Sequence, residues 1–462
     1  ATWQLDGSST YTDTASFRSL SFENFEELIG NAMADTFDIT GPQTVGLDGR
    51  EGDDTFRFLD DTAAIDGFVL GDTGTDTLDF SAFSSSTAVS VTLDAAGFAD
   101  GFDGTVSQVT MGFTDIDSVI AGDSSSDSLT GINAIGAWVV DEPGSYSANA
   151  ETLAFSQFEN LNGNDDADVF LIQDGGFNLA GGDGNDTFNV TDGVTLTGMI
   201  DGGDHGAGDT LSFALSTSSI AFPAGLVTNV ENITGSGNGD DTIVGTDGND
   251  VFEIDGPDSG TINGAMFTDF ANLDGGLGDD SFQFTADAGS LTGSVEGGSG
   301  TDTLGFNGVT TGVDIALSGA GGTDGFNGDE TGGTLDGFLN IDVLEGSLGA
   351  TDTLTGLDLN STWTLGTTST YAAAASSVDF TLDTANAFEN LVGQSMDDVF
   401  NVSGSRTANI TAADGADEVN LAAGAMLTGS VTTGTDDDLI TFGTGAMLVG
   451  SLDAGTEQED IY

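Results

Sequence analysis

The chain has no cysteine and no lysine, and only four arginines, one histidine and four prolines in 462 residues. Each scarcity excludes something. Without cysteine there is no disulfide framework, and with one histidine the usual zinc sites are out. The arginines, Arg18, Arg50, Arg57 and Arg406, stand against 77 acidic residues, giving a net charge of −73. Such a chain cannot neutralise nucleic-acid phosphates, so no nucleic-acid partner is expected. An anionic membrane surface would repel it. No run approaches the roughly 18 apolar residues of a membrane-spanning helix, so direct membrane insertion is not expected. Glycine-rich turns are frequent, but none is followed by the Gly-Lys-Ser/Thr of a phosphate loop.

An acidic chain with 71 glycines invites a disordered reading. Its 37% hydrophobic content and 31 phenylalanines argue against that, because the phenylalanines recur at fixed places. They follow a glycine-rich turn, an aspartate and one further residue. Gly181-Gly182-Asp183-Gly184-Asn185-Asp186-Thr187-Phe188 is one copy. Gly275-Gly276-Leu277-Gly278-Asp279-Asp280-Ser281-Phe282 is a second, and Gly297-Gly298-Ser299-Gly300-Thr301-Asp302-Thr303-Leu304 a third. All three match the nine-residue G-G-x-G-x-D repeat of parallel β-rolls, a calcium-binding pattern. The glycines allow a tight turn with positive φ. Turn carbonyls and the carboxylate are hard oxygen ligands suited to calcium. The apolar residue that follows points into a solenoid core.

Imperfect copies surround Asp54, Asp76, Asp241, Asp250 and Asp417; the last has Ala412-Ala413 in place of the leading glycines. The weakest keep only Asp-x-apolar, at Asp35, Asp127, Asp168, Asp209, Asp352, Asp398 and Asp438. There the turn is expected to survive without a calcium site. Asp168 to Asp186 is 18 residues, Asp398 to Asp417 is 19, and both Asp54 to Asp76 and Asp280 to Asp302 are 22. A two-sided roll returns to the same edge every 18 residues, so successive motifs should lie above one another. The predicted fold is all-β: an elongated right-handed parallel β-solenoid or β-roll of about 18–23 residues per turn, with about 4.8 Å between stacked strands. Tandem β-sandwich domains are the alternative.

A longer repeat lies above the turns. Trp3, Trp138 and Trp363 are each followed eight residues later by a tyrosine: Tyr11, Tyr146 and Tyr371. Related segments come next: Phe25-Glu26-Glu27-Leu28, Phe158-Glu159-Asn160-Leu161 and Phe388-Glu389-Asn390-Leu391. This predicts units at 1–137, 138–362 (with extra turns around 214–281) and 363–462, the last incomplete. Phe56, Leu78, Phe113 and Leu129 correspond to Phe282, Leu304, Phe338 and Leu354, which duplication explains. The Trp-to-Phe segments lack the turn motif and read as candidate separate modules. Tyr371–Ser377 is the best local helix candidate. The chain begins without methionine or signal peptide and ends at Asp460-Ile461-Tyr462, which reads as a motif cut short. The expectation is an internal piece of a longer protein.

The turns resemble those of the repeats-in-toxin (RTX) family, in particular the repetitive stalks of giant bacterial adhesins. The resemblance implies calcium at several sites, folding after export, and an extracellular or cell-surface location. Carried onto this sequence it marks Asp186, Asp280 and Asp302 first, then Asp54, Asp76, Asp241, Asp250 and Asp417. With them go Gly181, Gly182, Asp183 and Gly184, Gly275, Gly276 and Gly278, and Gly297, Gly298 and Gly300. Long tandem arrays of the nonapeptide, usual in that family, are missing. The expected function is a non-enzymatic, calcium-stabilised stalk or filament. The alternatives are the calcium-dependent tail of a secreted enzyme and a glycan- or ice-binding solenoid. The repeated Trp and Tyr read as packing anchors or as a carbohydrate platform. His205 reads as a solvated loop residue. Homo-oligomerisation into a filament is open to a repetitive rod, and any host, prey or glycan partner is unspecified.

Overall fold

A computed structural model describes residues 1–349, 351–373, 380–382 and 388–455, leaving aside the side chains of His205, Phe380 and Leu382. Almost everything regular is β-strand; the helical content among the described residues is one 3-10 turn, Ala224–Leu226. None of their helices is long and apolar enough to cross a membrane. The chain forms two compact units. One comprises Ala1–Thr217 and Leu226–Ile233, the other Ser218–Gly225 and Thr234–Tyr462. The division falls inside the second sequence repeat.

In the first unit the chain alternates between two stacks of parallel strands. Strands Thr2–Leu5, Thr36–Ile39, Thr55–Phe58 and Thr77–Asp79 lie in register, placing Trp3, Phe37, Phe56 and Leu78 in one column. Between them the chain visits Glu27–Ile29, Gly46–Asp48 and Val69–Leu70, whose column is Leu28, Leu47 and Val69. Strand alternation turns every second residue inward. Phe37, Phe56, Leu78, Leu47 and Val69 are accordingly fully buried. Each such side chain contributes about 1.5–3 kcal/mol relative to exposure. Farther along, Trp138, Phe170, Phe188 and Leu211 form one column, and Leu129, Leu161, Leu179 and Ile200 the other.

The second unit repeats the plan. Phe252, Phe282, Leu304 and Leu344 align in one stack, followed by Trp363, Phe400, Val419 and Ile440. The other stack carries Phe222, Ile243, Leu273, Val295 and Phe338, then Ile315, Leu354, Leu391, Ile410 and Val431. This coil-over-coil register is that of a parallel β-solenoid and departs from the tandem-sandwich alternative.

The Trp-to-Phe segments are not separate modules. Each is a three-stranded antiparallel meander set into a parallel stack, for example Ala137–Val140, Gly144–Ala148 and Glu151–Ser156. The eight-residue Trp-to-Tyr spacing is a hairpin register: Trp3 lies opposite Tyr11, Trp138 opposite Tyr146 and Trp363 opposite Tyr371. Trp138 and Trp363 are buried, and stack on Phe170 and Phe400 at centroid distances of 5.6 and 5.3 Å. They are packing anchors. The proposed helix fails where it is described, since Tyr371–Ala373 belongs to strand Ser369–Ala373; the rest of it lies outside the described residues, as does Asp460-Ile461-Tyr462. Two further meanders match one another across the duplication: Ser90–Ala96, Phe102–Val106 and Val109–Ile116, and Asp314–Ala320, Phe326–Glu330 and Gly337–Ile341.

In two of the meanders a buried tyrosine hydroxyl ties the meander to the segment before it. Tyr146 Oη accepts the Ile132 N–H at 3.0 Å, and Tyr371 Oη accepts the Leu357 N–H at 2.8 Å. Tyr146→Phe leaves a buried amide unpaired and is expected to cost about 1–3 kcal/mol in denaturant unfolding. Unchanged stability would show that this bond does not hold the meander.

Candidate metal centres

The aspartates of the turn motif form a column along the edge of each unit. Their burial is nearly complete: Asp54, Asp76, Asp168, Asp241 and Asp302 expose nothing, and Asp186, Asp250, Asp280 and Asp417 expose 1%. In each unit, one carboxylate oxygen reaches back to the preceding coil and accepts a backbone N–H. Asp54 Oδ1 takes the Asp35 N–H at 2.6 Å, and Asp76 Oδ1 takes the Asp54 N–H at 2.7 Å. Asp186 accepts from Asp168, Asp280 from Asp250, Asp302 from Asp280, and Asp417 from Asp398, at 2.7–2.9 Å. Asp241 accepts from Ile220 at 3.0 Å. The weakest sequence copies take part equally: Asp168 accepts from Gly136, Asp398 from Ser361, and Asp438 from Asp417. The degenerate turns thus keep the structural half of the motif.

The glycines have two different roles. The second of the pair adopts a left-handed backbone, with φ of +105° at Gly182, +89° at Gly276 and +98° at Gly298. The first is required by space. A Cβ on Gly181 would sit 2.2 Å from Asp186 Oδ2, and one on Gly275 would sit 2.3 Å from Asp280 Oδ2. Gly297 faces Asp302 Oδ2 in the same way at 2.8 Å. Gly278 and Gly300 are again left-handed, at +118° and +146°. Gly184 is not, but its Cβ would lie 2.2 Å from the Asp166 carbonyl oxygen. The turn therefore closes around the aspartate.

The second carboxylate oxygen is what remains unsatisfied. Oδ2 of Asp54, Asp76, Asp168, Asp186, Asp280, Asp302 and Asp417 is buried without a hydrogen-bond partner. Loss of water raises these carboxyls from 3.8 to about 7 at Asp54, 8 at Asp76 and Asp168, 6 at Asp186 and Asp280, and 7 at Asp302 and Asp417. Protein cations are few. Arg50 pairs with Asp48 and Arg57 with Asp38, and the terminal amine reaches Asp35 at 2.6 Å. Buried carboxylates with one free oxygen suit a hard cation such as calcium, but one oxygen falls well short of the six to eight ligands calcium takes.

Three arrangements bring more oxygens together. Asp183 lies outside the column and, with Asp166, Asn185 and Asp204, lines an open cleft of about 470 Å³. Asp76 meets Asp100 and Asp117, and Asp302 meets Asp324 and Asp342; in each trio one oxygen per residue lies within 4.8 Å of the others. Among the described residues these trios are the acidic groups that could hold a metal ion. Of the residues predicted from sequence, they include only Asp76 and Asp302. Asp100, Asp117, Asp324 and Asp342 sit outside the turn motif. A signal for them existed, since the pairs are 224 and 225 residues apart, close to the 225–226 of the duplicated apolar residues. Asp54, Asp186, Asp241, Asp250, Asp280 and Asp417 remain members of the column. The sequence matches no family model and no curated protein.

The shifts give a pH dependence. Folding raises these carboxyls, so the folded chain holds protons that the unfolded chain releases. That contribution is complete below about pH 4 and is lost as pH rises through about 6 to 8. In chelator, the melting temperature is therefore expected to fall between mildly acidic and mildly alkaline pH. A rise over that interval would contradict the burial of ionised carboxylates.

Proposed function

We propose that this chain is a non-enzymatic structural segment of RTX type, a calcium-stabilised stalk or filament belonging to a secreted or cell-surface bacterial protein of the adhesin kind. The observation that carries the reading is the column of buried aspartates, many of them with an oxygen left over, in a chain with almost no cations of its own. Calcium that binds only the folded coils would stabilise them by mass action, about 2.7 kcal/mol for one site at a hundred times its dissociation constant. It would also relieve the self-repulsion of a net charge of −73. Folding would then be conditional on leaving a calcium-poor compartment. The matching turn motif and the repeated coils support the same reading, since such coils extend by adding copies of one unit. Burial of Trp138 and Trp363 makes those two rings unavailable for stacking on a glycan.

Thermal unfolding with excess calcium, and again with chelator at the same moderate salt, tests this. Calcium is expected to raise the melting temperature markedly, and sodium chloride at equal ionic strength is not. Identical melting in calcium and chelator would overturn the proposal.

A further inference from the structure

We propose that Asp76, Asp100 and Asp117, and their counterparts Asp302, Asp324 and Asp342, form two equivalent sites for calcium, each built from one turn aspartate and two carboxylates from outside the turn motif. This rests on the calcium reading above and says where the ion is held. Calcium binds oxygen at about 2.3–2.6 Å, so two ligands on one ion lie at most about 5 Å apart. The three oxygens of each trio lie within 4.8 Å of one another, which meets that limit as they stand.

Unpartnered oxygens point to a ligand independently of the clustering. Asp76 and Asp302 are wholly buried. Their Oδ1 atoms hold the N–H groups of Asp54 and Asp280 at 2.7 and 2.9 Å. Their Oδ2 atoms have no partner and are left to ligate. Asp100 Oδ1 and Asp324 Oδ1 are likewise shielded and unpartnered. The same two atoms are thus orphaned in each of two copies separated by duplication.

The frames around them also match. Asp100 Oδ2 accepts the Gly74 N–H, and Asp324 Oδ2 the Gly300 N–H, both at 3.2 Å. Asp117 Oδ2 accepts the Asp76 N–H at 3.0 Å, and Asp342 Oδ2 the Asp302 N–H at 3.2 Å. The loops carrying Asp100 and Asp324 are closed by Gly97 N–H to Gly101 O and Gly321 N–H to Gly325 O, at 2.9 and 3.0 Å. Side chains of Asp115 and Asn340 brace them, accepting the Ala99 and Thr323 N–H groups at 2.8 and 3.0 Å. Backbone hydrogen bonds therefore hold the carboxylates in place around the site, and water or backbone oxygens would complete the six to eight ligands that calcium takes. An ion there would tie one meander strand-to-strand loop to the aspartate column.

The test is calorimetric titration of the whole chain, stripped of metal, with calcium chloride, alongside the double variant D100N/D324N. Asparagine keeps the acceptor for Gly74 and Gly300 and removes only charge and ligand strength. Wild type is expected to show two tight equivalents, and the variant to bind them about tenfold more weakly or not at all. A variant that binds as many calcium ions as tightly as wild type overturns this assignment and leaves the calcium reading standing. Wild type that binds no calcium overturns both. Should the variant fail to fold, lanthanide anomalous scattering from wild-type crystals decides the matter. Peaks between these carboxylates support the assignment, and peaks confined to the other turns, such as those of Asp186 and Asp280, contradict it.

Discussion

A buried carboxylate oxygen that accepts the amide N–H of the coil before it recurs along the aspartate edge of both units. It fixes much of what surrounds it. The aspartate must be buried to reach that amide, so the turn must wrap closely, and the residue facing the other oxygen must be small: glycine at 181, 275 and 297, alanine at 412. The apolar residue two positions on then falls inward at the same height in each coil. The phenylalanine and leucine columns are thus placed by a polar bond at the edge as well as by their own burial.

The same bond creates the electrostatic problem. Asp54, Asp186, Asp280 and Asp417 are used once and left with a second oxygen away from water, whereas Asp241 and Asp250 spend both oxygens on Ser236 and on Thr246 and Asn263. Neighbouring carboxylates in the column raise one another further, as Asp54 does Asp76 and Asp280 does Asp302. A proton or a metal ion can relieve this. Protons suffice at low pH; at neutral pH a divalent cation is the stronger remedy, because one ion serves several carboxylates. The trios at Asp76 and Asp302 are where the column meets a meander that brings two more carboxylates to it.

Much of this was legible in the sequence. Spacings of 18–22 residues between Asp168 and Asp186, or Asp280 and Asp302, placed successive motifs on one edge, and they lie there. The inward columns followed from Asp-x-apolar alone. The meanders were not legible, because an antiparallel excursion and a longer solenoid turn leave the same apolar alternation. Three of them were marked by the Trp-to-Tyr interval, whose meaning depends on a hairpin register, and the meanders at 90–116 and 314–341 carried no such mark. Asp100 and Asp117 were missed for a related reason. They reach Asp76 from a meander and an adjoining turn, and no local motif records a contact made over 24 and 41 residues. The role of the first glycine was also hidden: a steric requirement against Asp186 or Asp280 cannot be told from a backbone requirement by composition.

The aspartate acts first as an acceptor that locks coil to coil and does so whether or not it is charged. Asp186→Asn and Asp186→Ala, compared by denaturant unfolding in chelator near neutral pH, test it most directly. Asparagine keeps an oxygen for the Asp168 N–H, now at 2.7 Å, without the buried charge. The asparagine variant is predicted to be at least as stable as wild type, and the alanine variant about 1–3 kcal/mol less stable. Equal destabilisation by both would contradict the account.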